Sequence, residues 1–348
     1  MALKKEGESG RKKLNQYTRY GAVFLTIVQG WFLASGLEAY GAQSGLQAVV
    51  QPGYMFRVGA VISLVGGTMF LLWLGEQITS RGIGNGVSLI IMAGIVAQFP
   101  TFVAQLGGQY SSGATGSFTI ISLILMIVGL ILIISFMERA QRRVLIQYPK
   151  RASQRGVMQA DRSHLPLKLN TAGVIPPIFA SSLLLLPLTI TQFAGNSVAP
   201  DSTMGSFVVT LNQYLQHGQP IYMSLYAAGI VFFTFFYTAV VFNPEETSEN
   251  LKKNGGFIPG IRPGKNTAEY LDYVLTRITV LGAVYLTLVC VAPEMLLAET
   301  GIQLFFGGTS LLIVVNVTVD TITQIQSHLL AHQYGDLIKK AKLKGRLR

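Results

Sequence analysis

The side chains able to do chemistry are few, and they do not assemble into a reactive set. His328 and His332 stand one helical turn apart, a spacing at which two imidazoles can hold a metal ion. No glutamate accompanies them in an HExxH arrangement, so the plainer reading is two polar residues where an apolar segment meets water. Gly82-Ile83-Gly84-Asn85-Gly86 would suit a phosphate cradle at a helix start, but the Lys-Ser/Thr that follows in a P-loop is missing. Helix entry with close backbone packing is the preferred role. No serine occupies a G-x-S-x-G elbow. Asp320 is the only acid well inside an apolar stretch; a lone acid there hints at function, yet near a helix end it can simply reach for water. The single cysteine, Cys290, excludes an internal disulfide framework and a multi-thiolate zinc site, and is expected to serve helix packing. No enzyme, metal or cofactor is expected.

The frame that must position these residues is a membrane frame. Half of the 348 residues are hydrophobic and only 12% are charged, with a mean hydropathy of +0.45. Gly82 to Met137, Leu169 to Pro200 and Ser202 to Pro244 contain no Asp, Glu, Lys or Arg. A soluble surface cannot be built from such runs, whereas about 20 apolar residues cross a bilayer. The fold class expected is an all-α polytopic membrane protein. Eight spans are expected, near 20–37, 56–75, 84–104, 118–137, 172–193, 221–242, 274–292 and 304–323. Helices are favoured over a barrel because Leu123 to Ile134 is a solid apolar block without alternation. Gly82, Gly84 and Gly86 loosen the start of the third span, and Pro100 interrupts its end. The polar opening MALKKEGESGRKK has no short apolar core or cleavage site, so no cleavable leader is expected.

With eight spans, every Lys and Arg of the 27 except Arg57 falls on one side, which the positive-inside rule makes the cytoplasm, together with both termini. The chain then divides into a basic N-terminal segment (1–19), four spans (20–137), a basic loop (138–171), spans five and six (172–242), a second loop (243–273), spans seven and eight (274–323) and a basic tail (324–348). Both long loops exceed what a helix hairpin needs. Basic loops can serve only to set topology and touch anionic lipid. The second loop, NPEETSENLKKNGGFIPGIRPGKNTAEY, instead mixes four acids with four bases. Pro259-Gly260 and Pro263-Gly264 suggest a shaped tip presenting Arg262 to a protein or RNA partner.

The remaining signal is a pattern of helix defects. The fifth span carries Pro176, Pro177 and Pro187; interior prolines remove helix hydrogen bonds and invite bending, so this span is a hinge candidate, with a static packing kink as the alternative. Ser181 and Ser182 are expected to satisfy part of the freed backbone. Val87, Leu89, Ile90 and Ile91 in the third span, and Leu311 to Val314 in the eighth, read by themselves as core or lipid-facing residues.

At these residues the chain resembles the SecY family. The matching blocks include LKKEGESGRKKLNQYTRYG, GEQITSRGIGNGVSLIIMAGIVA, ERAQRRVLIQYPKR, HLPLKLNTAGVIPPIFASSLLLLP, the GIRPG tip and FGGTSLLIVVNVTVD, spread from residue 3 to the end. The resemblance implies a ten-helix clamshell, of which this chain would hold the last eight helices. It implies an hourglass pore narrowed by apolar side chains, with Val87, Ile91, Ile178 and Ile313 at ring positions. Pro176, Pro177, Ser181 and Ser182 fall on one wall of a lateral gate. Arg262, Arg155, Arg142 and Arg143 fall in loops that dock the ribosome and the SecA motor. SecE and SecG subunits, nascent or secretory polypeptides and membrane lipids are the further partners implied, in the bacterial inner membrane. Arg155-Gly156 departs from a paired arginine, and Asn316 departs from an apolar or glycine position. The chain is expected to lack the family's first two helices and plug, and so not to seal a gated channel alone. A secondary transporter with broken midplane helices, or a non-functional fragment of the family, are the alternatives.

Overall fold

The computed structural model describes residues 8–44, 49–113, 116–148, 152–153, 156–157, 162–185, 210, 214–215, 218–300 and 307–345. The described residues are mostly helical (80%). In chain order the elements are α1 (Glu8–Ser44), α2 (Tyr54–Arg81), α3 (Gly86–Ala97), α4 (Phe99–Ser111) and α5 (Ser117–Arg139). Strands β1 (Gln141–Gln147), β2 (Ala152–Ser153), β3 (Gly156–Val157) and β4 (Arg162–Lys168) follow, then α6 (Ile175–Leu185). The chain continues through α7 (Pro220–Val241), α8 (Pro244–Lys253), α9 (Lys265–Thr300) and α10 (Gly308–Gly345).

Seven helical segments among the described residues are long and apolar enough to cross a membrane: Asn15–Glu38, Tyr54–Arg81, Gly86–Ser111, Ser117–Arg139, Pro220–Lys253, Lys265–Leu296 and Gly308–Ala331. They fall on seven of the eight expected spans. The other, 172–193, is described only as far as the short apolar helix α6; Pro187 and the rest of that span lie outside the described residues. The third span breaks at Gln98, and Pro100 sits in the first turn of α4, where a missing N–H costs nothing. Large apolar side chains on these helices face outward, with Phe118 85% and Leu125 74% exposed. Such a surface is stable only where lipid replaces water.

The helical class holds with one departure. Residues 138–171, expected as a loop, contain the antiparallel ribbons β1–β4 and β2–β3. Helices also run on where loops were expected. α10 continues to Gly345, and α8 and the start of α9 occupy most of 243–273.

The molecule divides into two compact units: residues 1–94, 185–216 and 321–348 in one, and 95–184 with 217–320 in the other. In the first, α1 and α2 form an antiparallel pair clamped at both ends. Arg19 bonds Glu76 (Nη2–Oε2 2.5 Å), and Arg57 donates from Nε and Nη2 to Glu38 Oε2 at 2.8 and 2.7 Å. The Gly53 N–H adds a bond to Glu38 Oε1 at 2.8 Å. Arg57, the one cation on its side of the charge pattern, is thus neutralised by Glu38. The GIGNG segment then brings α3 against α2. A Cβ at Gly75 would stand 2.8 Å from Val87 Cγ2, and one at Gly86 would run into the Gly75 carbonyl. This is the close packing read from the sequence. Gly86→Ala is expected to cost about 1–3 kcal/mol by overpacking, measured as a lower midpoint of thermal unfolding in detergent. An unchanged midpoint would show the α2–α3 contact to be loose.

In the second unit α9 packs against α7, and small residues set the spacing. A Cβ at Gly308 would meet Cys290 Cα at 2.7 Å, so the fully buried Cys290 is packing material, as expected from sequence. Gly229 on α7 faces Ala180 on α6, where an added Cβ would lie 3.2 Å from the Ala180 Cβ.

Candidate functional site

The two segments expected as separate cytoplasmic loops fold into one knob. QRRVLIQ alternates, so β1 buries Val144 and Ile146 and leaves Arg142 and Arg143 exposed. β1 pairs with β4 from Gln141↔Lys168 to Gln147↔Arg162. Gln147 also exchanges two backbone hydrogen bonds with Phe257 of the second segment, at 2.9 and 3.0 Å. Beneath the ribbon, Val144 and Leu167 meet Ile258, Leu271, Val274, Leu275 and Ile278 in one buried cluster. Each such side chain contributes about 1.5–3 kcal/mol relative to exposure in water, so the knob is a packed body rather than a pair of charged tethers.

The second segment is built by local rules. Asn243 caps α8 through Oδ1, which accepts from the Glu245 and Glu246 N–H groups at 3.1 and 3.4 Å, with Pro244 opening the helix. Acids fill its first turn and Lys252 and Lys253 its last, matching the helix dipole. It ends in a Schellman motif, with Gly255 N–H to Lys252 O at 3.1 Å and Gly256 N–H to Leu251 O at 2.9 Å. Ile258-Pro259-Gly260-Ile261 then turns back, closed by Ile261 N–H to Ile258 O at 3.1 Å. Gly260 at φ +82° supplies the conformation a type II turn demands. Gly264 also takes a positive φ, +109°, and its carbonyl accepts from Ser248 Oγ at 2.6 Å. Thr267 Oγ1 donates to the Arg262 carbonyl at 2.9 Å. The tip is therefore pinned by backbone on both sides of Arg262, while the Arg262 side chain is exposed and has no hydrogen bond or ion pair among the described residues. Arg155 lies outside the described residues.

The hinge expectation needs correction in its physics. Pro176 and Pro177 do not interrupt a helix; they lie in the first turn of α6, fully buried. The carbonyl that Pro177 leaves without an N–H, that of Gly173, is not satisfied by a serine. Asn170 Nδ2 donates to it at 3.1 Å, Gly173 N–H returns a bond to Asn170 Oδ1 at 3.1 Å, and Asn170 Nδ2 also donates to Glu138 Oε1 at 2.7 Å. Ser181 bonds the Ile178 carbonyl within α6 at 3.0 Å, and Ser182 is exposed. Sequence reasoning missed this buried Glu138–Asn170 clasp, although an acid ending an apolar block and an asparagine just before a double proline were both in plain view.

Of the expected ring positions, Val87 and Ile91 lie one turn apart on α3, 45% and 42% exposed, in the first unit. Ile178 on α6 is half-buried and Ile313 on α10 is 7% exposed, both in the second. Asp320 meets Lys168 at 3.6 Å, both well exposed, a pair of small energetic weight.

Apolar outward-facing helices long enough to span a membrane, with a folded basic knob, make this a multi-pass membrane protein, and solved structures share its fold. The chain superposes on a structure described as a protein-conducting channel, with a TM-score of 0.64 over 91% of this chain and 74% of that one at 15% identity. A second structure, concerned with the SecY plug domain and closed state, gives 0.65 at 16% identity, with the same coverage. The SecY family model matches residues 1–322. The chain is 50% identical over 343 residues to the protein translocase subunit SecY of Escherichia coli K12, covering 99% of this chain and 76% of that one. It is 51% identical over 342 residues to the SecY of Rickettsia conorii, covering 98% and 77%. The chain belongs to the SecY family. The expected loss of two helices and the plug finds no support in these matches.

Proposed function

We propose that the chain is the channel-forming subunit of a bacterial protein translocase, passing unfolded polypeptides across the inner membrane and releasing apolar segments sideways into lipid. The observation that carries this reading is the identity with named translocase subunits along almost the entire chain. It disfavours the transporter alternative, which would also need charges lining a path, and the spans carry almost none. In this reading Val87, Ile91, Ile178 and Ile313 form an apolar waist. Such a waist carries no fixed charge to discriminate among polypeptide sequences, and it opposes ions by dewetting. The α6 segment around Pro176, Pro177, Ser181 and Ser182 is one wall of the lateral exit. An apolar segment leaving there gains about 0.3–0.6 kcal/mol per Leu or Ile and loses about 2.5–3.5 per charge. Residues 138–171 and 243–273 face the cytoplasm with both termini, and Arg262, Arg142, Arg143 and Arg155 present the docking surface for the ribosome and the SecA motor. SecE and SecG complete the assembly.

The test is a stalled precursor carrying one cysteine in mid-chain, with single cysteines placed in a Cys290→Ala background. Val87→Cys, Ile91→Cys, Ile178→Cys and Ile313→Cys are expected to form disulfides with it, and Phe118→Cys is not. Reaction at Phe118→Cys alone would remove the waist.

A further inference from the structure

We propose that the buried Glu138 carboxylate is one wall of a binding site for a single sodium ion, completed by Tyr285 and Asn316. Glu138 follows directly on the uncharged run Gly82 to Met137 and is only 7% exposed. Its Oε1 accepts from Asn170 Nδ2 at 2.7 Å, and it forms no ion pair among the described residues. Lys168, whose charge reaches it, is exposed and pairs with Asp320 at 3.6 Å. An ionised carboxylate taken out of water is costly unless a cation stands against it, and at the edge of a membrane span such an acid marks a site by default.

Two buried polar side chains without partners come to the same place, all within the second unit. A Cβ at Gly173 would lie 3.8 Å from Asn316 Nδ2, so α10 sets Asn316 over the glycine that Asn170 clasps. A Cβ at Gly282 would lie 2.9 Å from the Leu169 carbonyl and 3.9 Å from Asn170 Cα, and Tyr285 stands one turn further along this face of α9. Tyr285 is 6% exposed, its hydroxyl bonds nothing among the described residues, and it interacts electrostatically with Glu138. Asn316 is 7% exposed and likewise makes no hydrogen bond among them. Buried polar groups are rarely left unpaired, and an occupant shared with Glu138 accounts for both.

Charge and donor chemistry select that occupant. A carboxylate, a phenol and an amide Oδ1 are hard oxygen donors, which suit alkali and alkaline-earth ions rather than zinc or copper. Together they carry one negative charge, which a monovalent ion balances; a divalent ion would leave excess positive charge in a buried site. The site does not depend on polypeptide conduction and is read by ion binding.

The full-length chain in detergent, with choline replacing sodium at constant ionic strength, provides the test. It is expected to bind one radioactive sodium ion per chain saturably and to unfold at a higher temperature in sodium than in choline. Glu138→Gln, which keeps the bond to Asn170, is expected to abolish both effects while matching the parent in choline. Tyr285→Phe removes one oxygen from the ion and is expected to weaken sodium binding at least about ten-fold. Deleting a hydroxyl that merely lacks a partner would leave stability equal or higher in both media, whereas deleting a ligand lowers the midpoint in sodium alone. Asn316→Leu is expected to follow Tyr285→Phe. The absence of saturable sodium binding overturns the site, as does sodium stabilisation that survives unchanged in Tyr285→Phe and Asn316→Leu. Stabilisation by calcium at lower concentration than by sodium also overturns it, because the charge argument would then fail. If Glu138→Gln does not fold, Tyr285→Phe decides by the same two readings.

Discussion

Arg262→Glu is expected to reduce SecA-driven precursor transport at least ten-fold at an unchanged membrane level of the protein. The fold uses the Arg262 backbone, whose carbonyl accepts from Thr267 Oγ1, and not its exposed side chain. The substitution therefore leaves the knob standing. Its effect falls on whatever docks there. A charge pair buried at an interface and broken on one side costs about 2 kcal/mol or more, a factor of about thirty in affinity. Arg262→Lys keeps the charge but loses the planar fork, so an intermediate loss is expected. Transport assayed with inverted vesicles from cells depleted of their own SecY separates the outcomes. If Arg262→Glu transports as well as the parent while the protein level is equal, the tip is not a docking element.

That tip shows what a sequence gives up and what it holds back. Charge gaps located the spans because a membrane tolerates almost no ionised side chain, so the constraint acts residue by residue and survives in one chain. Pro259-Gly260 and Pro263-Gly264 were legible for a similar reason: the turn is written in the two residues that make it. The knob was not legible, because its unity rests on contacts distant in sequence. Nothing local tells Gln147 that it will pair with Phe257, or Val144 that it will pack on Leu271. Two cues within the segments were nevertheless available. QRRVLIQ alternates over Val144 and Ile146, and Asn243-Pro244-Glu245-Glu246 is a helix start; the charge census drew attention to the bases instead. The prolines misled in the opposite sense. A double proline inside an apolar run reads as a break, yet at the first turn of α6 it is compatible with an unbroken helix, and only the position of the helix start decides.

Where that start is fixed, the second large effect is expected. Asn170→Ala is expected to destabilise the protein by about 3–5 kcal/mol. One side chain serves three groups: it donates to Glu138 at 2.7 Å and to the Gly173 carbonyl at 3.1 Å, and accepts from the Gly173 N–H at 3.1 Å. Asn170 and Glu138 are both buried, so water does not replace what is removed. Each orphaned group costs about 1–3 kcal/mol, and the sum falls short of strict addition because the groups relax together. Glu138→Gln separates hydrogen bonding from charge. Its amide oxygen still accepts from Asn170, so a loss under about 1 kcal/mol is expected if the bond matters and the charge does not. Asn170→Asp keeps the Gly173 N–H bond but sets a second carboxyl against Glu138, and is expected to be at least as damaging as alanine. The midpoint of thermal unfolding in detergent, read for all three variants, decides. Equal losses for Glu138→Gln and Asn170→Ala would make the clasp an electrostatic contact, and no loss for Asn170→Ala would mean that the start of α6 is held by the packing of Pro176 and Pro177 alone.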